Sequence, residues 1–214
     1  MRRRALAPWP IGLVALIGLA IGLEGCAVTD PTLYYALGRA PTSGSAESRA
    51  GASMPPGAGT GAVTIGVGPV IVPGYLDRIN IVTRTGADQI ELSPYHRWAE
   101  PLDDGIARTL TEEIAARIPT ERVVAFPWRG VVASTIDYQV VVNVLRFDGR
   151  PGVDVTLDSR WRILAGNGKE LTLKRTTVTE AATGPGYEPI VAAMDRALAT
   201  LAQQIAAEIR ANPR

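Results

Sequence analysis

The chain has 214 residues, 46% of them hydrophobic, a formal charge of +1 and a single cysteine. This length supports one domain with a sizeable core, the near-neutral charge gives no electrostatic footprint for nucleic acid, and one cysteine excludes an intramolecular disulfide. Residues 1–25 hold three of the 22 basic and one of the 21 acidic residues, so the rest of the chain carries a formal charge of about −1.

The N-terminus fixes the expected compartment. Met1-Arg2-Arg3-Arg4 leads into an apolar run from Ile11 to Leu23, which closes as Leu23-Glu24-Gly25-Cys26. A basic stretch followed by a short apolar one reads as a cleaved signal peptide over 1–25. The apolar run would make a helix of roughly 20 Å, short of the roughly 30 Å hydrocarbon core, so export is favoured over a permanent span. An aliphatic residue three positions before the cysteine and a glycine just before it resemble a bacterial lipobox, although Glu24 stands where a small or apolar residue is usual. Cys26 is therefore the expected lipid attachment site. The polar, turn-forming Thr29-Asp30-Pro31 that follows could not enclose a buried thiol. Two or three acyl chains, at about 0.8 kcal/mol per buried methylene, hold a protein stably on a bilayer.

Residues 26–61 read as a lipidated N-terminus, a short strand at Thr32–Leu37 and a linker of Gly, Ala, Ser, Pro and Thr over 38–61. If the strand docks on the domain, the linker is a surface loop; if it does not, the tether is longer. The domain is expected over 62–210. It opens with a strand, Ala62–Val72, broken or bulged near Gly66 and Gly68, followed by a turn at Pro73–Arg78 and short strands at Ile79–Thr83 and Gln89–Leu92. Leu102, Ile106, Leu110, Ile114 and Ile118 recur every four residues and mark a helix that Pro119 ends, with Asp103 and Asp104 in the first turn where the helix dipole favours them.

A short strand at Glu121–Phe126 precedes the clearest hairpin, two alternating runs joined at Asp148–Gly152. Tyr138, Val140, Val142 and Val144 share the buried face of the first run. Val153, Val155, Leu157, Ser159, Trp161 and Ile163 share that of the second, while Asp154, Thr156, Asp158, Arg160 and Arg162 point away. A turn at Gly166-Asn167-Gly168 leads to a third strand, Glu170–Thr179, which completes an antiparallel meander. The last helix starts at Pro189 and presents Ile190, Met194, Leu198, Leu201, Ile205 and Ile209 to the sheet. Ala192, Ala193, Ala199, Ala202, Ala206 and Ala207 lie outside that stripe, where alanine's helix propensity or a second packed face in an oligomer both account for them. The expected fold class is α/β: a single three-layer domain with a mixed sheet, an antiparallel meander and two main helices.

Catalytic chemistry finds no support in this pattern. Gly66-Val67-Gly68 is followed by proline and β-branched residues instead of the helix a dinucleotide loop requires. His96, the lone histidine, has no cysteine partner for a metal and no nucleophile motif beside it; Ser93 and Ser134 lack such a context too. Asp103 and Asp104 are adjacent, so they diverge from the helix rather than converge as an acid/base pair. No enzyme activity, cofactor or metal is expected. Two segments rich in aromatics and arginine are candidates for partner binding: Tyr75, Leu76, Asp77 and Arg78, and the loop containing His96, Arg97 and Trp98. The alternative is that Trp98 plugs one end of the core while Asp77 and Glu100 pair with arginines.

Several stretches carry a likeness to a known family: Ile65-Gly66-Val67-Gly68-Pro69-Val70, Tyr75-Leu76-Asp77-Arg78, Ile81-Val82-Thr83-Arg84, His96-Arg97-Trp98-Ala99-Glu100-Pro101-Leu102 and Phe126-Pro127-Trp128. Asp137-Tyr138-Gln139-Val140, Arg146-Phe147-Asp148, Trp161 and Ala192-Ala193-Met194 extend it over most of 62–209. With these the chain resembles the ABC-type transport auxiliary lipoproteins, the PqiC-like family. The resemblance implies a lipoprotein of the Gram-negative cell envelope, facing the periplasm from the outer membrane, with a docking or structural task in MCE-type (PqiABC-like) intermembrane lipid transport. It implies as partners an MCE-domain tunnel protein and inner-membrane transport components, with the membrane held through acyl groups, and it allows a homo-oligomeric ring. Ala27 after the cysteine, in place of aspartate, agrees with an outer-membrane address under the enteric sorting rule. An outer-membrane lipoprotein that regulates a cell-wall enzyme is the alternative function.

Overall fold

In chain order the elements are β1 (Leu33–Tyr35), β2 (Thr64–Ile71), β3 (Asn80–Arg84), β4 (Ile90–Trp98), α1 (Leu102–Arg117), β5 (Arg122–Ala125), α2 (Val131–Ser134), β6 (Tyr138–Arg150), β7 (Asp154–Ala165), β8 (Glu170–Ala181) and α3 (Glu188–Ala211). They belong to a computed structural model that describes residues 31–38, 63–118 and 122–212, of which all from Thr32 onward form one unit. The expected signal peptide, Cys26 and residues 39–61 of the expected linker lie outside the described residues. The fold class is the expected α/β, the described residues forming one open, mixed sheet of eight strands and three helices.

β6 is the hub of the sheet. It pairs in parallel with β2, in parallel at its far end with β3, and antiparallel with β7, which pairs with β8 to complete the expected meander. Period-two alternation puts Val140, Val142, Val155, Leu157, Trp161 and Ile163 on one face, all at most 1% exposed. Both long helices pack on that face and on each other. Leu102, Ile106, Leu110 and Ile114 are buried as expected in α1, and each such aliphatic side chain contributes about 1.5–3 kcal/mol by leaving water. Ile118, the residue before Pro119, is extended at φ −111° and ends the helix. In α3 the expected stripe is buried, and Ala193, Ala202 and Ala206 are buried with it, so packing inside the domain accounts for three of the six alanines.

The opposite face has a smaller third layer. Gly66, which points away from the helices between Ile65 and Val67, would bring a Cβ within 2.9 Å of Ile136 and Trp128, so the segment around α2 lies directly over it. The expected bulge follows: Val67 pairs with Val140 and Val70 with Val142, leaving one extra residue in β2. Gly68 sits at φ +123° with Phe126 2.5 Å from where its Cβ would be, and Gln139 Nε2 donates to its carbonyl at 3.0 Å.

Three expectations need correction. The segment of His96, Arg97 and Trp98, expected as a loop, is strand: β4 runs on from Ile90 to Trp98, where β1 pairs with its last three residues, Leu33 to His96 and Tyr35 to Trp98. Pro94 disguises this, being tolerated at a bulge where Ser93 Oγ accepts the His96 N–H and Ser93 O accepts from Asn80 Nδ2. Asp148 to Arg150 belong to β6 and not to the hairpin turn, which is confined to Pro151–Val153; Val153 is accordingly half exposed instead of buried. The third meander strand continues to Ala181.

Gly66→Val should cost about 1–3 kcal/mol in urea unfolding, because the third layer has no room for the added methyls. An unchanged midpoint would contradict this packing.

Candidate functional site

The first candidate segment hangs on a buried carboxylate. Asp148, with a side chain 0% exposed, accepts from Arg84 Nε at 3.0 Å and Nη2 at 2.9 Å, from Arg146 Nε at 2.8 Å and from the Tyr75 hydroxyl at 3.0 Å. Burial opposes ionisation of Asp148, yet the hydrogen bonds from Arg84 and Arg146 outweigh it and hold the carboxyl below the usual carboxylate range. Burial and the adjacent Asp148 charge together push the Tyr75 hydroxyl up to about 12, so it stays a donor. Tyr75 thus pins a tight turn in which Leu76 N and Asp77 N both donate to Pro73 O. Leu76 is 2% exposed and packs into the core, leaving Asp77 and Arg78 at the surface, where Arg78 reaches back to Gly74 O at 3.2 Å.

The second segment is positioned by β1 and β4. Trp98 is 4% exposed and belongs to the core; its N–H donates to Ile79 O at 2.6 Å, which ties it to the end of the first turn. Asp77, Arg78, Trp98 and Glu100 therefore line one open cavity of about 270 Å³ above the start of α1. Trp98 packs as the alternative reading had it, and Glu100 pairs with Arg108 at 2.6 Å. His96 lies apart from this cavity, stacked on Tyr187 with ring centroids 3.9 Å apart and bonded through Nδ1 to the Tyr35 hydroxyl at 2.9 Å. Arg97 is half-buried with no hydrogen-bond partner at Nε. The structure therefore brings Asp77, Arg78 and Trp98 together, and gives Tyr75, Leu76 and His96 anchoring positions.

The residues after β1 are clasped by both long helices. Leu37 is 1% exposed, its carbonyl accepts from Arg108 Nη2 at 2.6 Å, and the Gly38 N–H donates to Asp195 Oδ1 at 2.8 Å. The strand near the expected lipid site is thus docked on the domain. Sequence reasoning missed Asp148, Arg84 and Tyr187 as members of this arrangement. Arg146-Phe147-Asp148, two opposite charges flanking an aromatic inside an alternating run, was the available signal. Among the described residues no group of three or more His, Cys, Asp or Glu could hold a metal ion.

The family described as ABC-type transport auxiliary lipoprotein component matches residues 47–206. The intermembrane transport lipoproteins PqiC of Escherichia coli (strain K12) and Shigella flexneri are each 28% identical over 145 residues, spanning 67% of this chain and 73% of theirs. A crystal structure of a protein described as uncharacterized superimposes with a TM-score of 0.64 at 22% identity, over 84% of this chain and 99% of its own. A Xanthomonas campestris protein gives 0.57 at 15% identity, over 68% of this chain and 82% of its own. These two structures are likenesses of fold alone.

Asp148→Asn should lower stability at pH 7 by about 3 kcal/mol, the low end for a broken buried ion pair because Arg84 and Arg146 keep some access to water. A carboxyl depressed in the folded state stabilises above its unfolded value of about 3.9 and loses that contribution as pH falls through the folded one. The gap between wild type and variant should therefore narrow below about pH 4; a pH-independent gap would contradict this. Trp98→Ala should cost about 3–5 kcal/mol in the same assay, since the indole fills the core; a fully stable variant would mark Trp98 as an interface residue instead.

Proposed function

The chain belongs to the ABC-type transport auxiliary lipoprotein family, and from that premise we propose that it is a lipid-anchored periplasmic subunit of an MCE-type intermembrane lipid transport system, docking other components without catalysing a reaction. The observation that carries the reading is the family match across 47–206, together with relatives named for intermembrane transport. Cys26 holds the acyl groups. Seven residue steps separate it from Leu33, so with β1 docked the membrane tether is short, and the Gly/Ser/Pro-rich stretch is not part of it.

The turn bearing Asp77 and Arg78 and the neighbouring Trp98–Glu100 segment present mixed charge around an apolar floor, on a backbone fixed by Asp148 and by the Trp98–Ile79 hydrogen bond. Such a surface suits a protein partner, here the MCE-domain tunnel protein, better than a reacting small molecule. The only histidine of the sequence is engaged by the Tyr35 hydroxyl and stacked on Tyr187. Ala27 after the lipid site favours the outer membrane.

Native protein extracted with mild detergent should bring down an MCE-domain protein, and Asp77→Lys/Arg78→Glu should reduce that recovery about tenfold without lowering the melting temperature, both residues being exposed. Recovery of a peptidoglycan synthase in its place would support the cell-wall alternative. Cys26→Ser should move the protein into the aqueous phase of a detergent partition; a wild type already in that phase would overturn the anchor.

A further inference from the structure

The sheet face opposite the two long helices is open over β6, β7 and β8. Its chemistry is one-sided. Arg84, Arg146, Arg160, Arg162 and Arg175 line or flank it against Asp148 and Asp158, while Arg150 and Asp154 at the rim cancel each other. Asp148 is occupied by Arg84 and Arg146, and Asp158 is held by Arg175. Arg160 and Arg162, two residues apart on one strand and therefore side by side, are exposed and make no salt bridge among the described residues. Across β6 and β7, from Ile71 on β2 to Leu173 on β8, lies a dent of about 270 Å³ lined also by Val141, Asn143 and the two arginines; Ile71 and Leu173 are 51% and 62% exposed.

Two guanidinium forks without a salt bridge among the described residues stand beside an apolar dent, Arg160 within electrostatic reach of Asp158. They are complementary to planar carboxylates flanking an apolar side chain. The dent is below the roughly 300–1,000 Å³ of small-molecule sites, so it takes one side chain and not the acyl chains of a phospholipid. The geometry points to this face as the docking surface for an acidic, amphipathic segment of a partner protein, with a large apolar side chain between Ile71 and Leu173 and carboxylates on Arg160 and Arg162. This rests on the docking function proposed above, and adds a surface separate from the Asp77–Trp98 cavity.

The test places a photo-crosslinking benzoylphenylalanine at Asn143, an exposed position lining the dent, in the full-length lipidated protein in intact cells, and sequences the crosslinked peptide. The expected product is a partner peptide with at least two Asp or Glu residues next to a large apolar one. Its yield should fall about tenfold in Arg160→Glu/Arg162→Glu, whose melting temperature stays that of the wild type. Crosslinking to phospholipid, to a second copy of this chain or to a segment without carboxylates would overturn the inference, as would no product or a yield indifferent to charge reversal. Recovery of an MCE-domain protein in the detergent extract alongside any of those results would retire this surface and leave the docking function standing.

Discussion

One strand with two different neighbours along its length organises this protein. β6 is thirteen residues long; its first half meets β2 and its far end meets β3, while β7 runs beside nearly all of it. A strand so enclosed must be apolar on the helix side, and Tyr138, Val140, Val142 and Val144 satisfy that. Past the bulge between Val144 and Arg146 the alternation changes phase, so Phe147 takes the helix side and Asp148 falls on the other face. A buried carboxylate there is tolerable only because Arg84 from β3 and Arg146 from its own strand neutralise it with direct hydrogen bonds. That ion cluster, with Tyr75, fixes the turn leading into β3 and so connects the hub strand to the surface carrying Asp77 and Arg78.

The periodic parts of this architecture were legible in the sequence because each buries one face. The four-residue spacing of α1, the stripe of α3 and the alternation of β6 and β7 all reappear as buried side chains. What escaped is non-local. β4 breaks its alternation at Pro94, and its pairing with β1, whose residues lie some sixty positions earlier, supplies hydrogen bonds that no local pattern reveals. Asp148 and Gly149 are turn-forming residue types, yet Thr156 and Val155 opposite them keep both in the ladder. The site was half visible. Composition singled out the Tyr75–Arg78 and His96–Trp98 segments, but which residues anchor and which face outward depended on Asp148, Ile79 and Tyr187, each remote in sequence.

The two sides of the sheet divide the tasks physically. The helix side is a core of aliphatic, alanine and aromatic packing made without a disulfide. The other side is finished by charge and by a thin layer around Trp128 and Ile136, and it retains exposed Ile71 and Leu173. An apolar patch rimmed by arginines is how a stable domain advertises a contact. Rigid elements hold both this face and the Asp77–Trp98 cavity, so each can be read by a partner without ordering costs in the domain.

Hydroxyl-radical footprinting of the lipidated protein, alone and within its detergent-extracted envelope assembly, tests the central claim most directly: that this domain works by being gripped on its surfaces. The account predicts that Ile71, Leu173 and the Asp77–Ile79 turn lose oxidation on assembly while the outer sides of α1 and α3 keep theirs. Protection confined to the helices, or identical footprints in the two states, would contradict it.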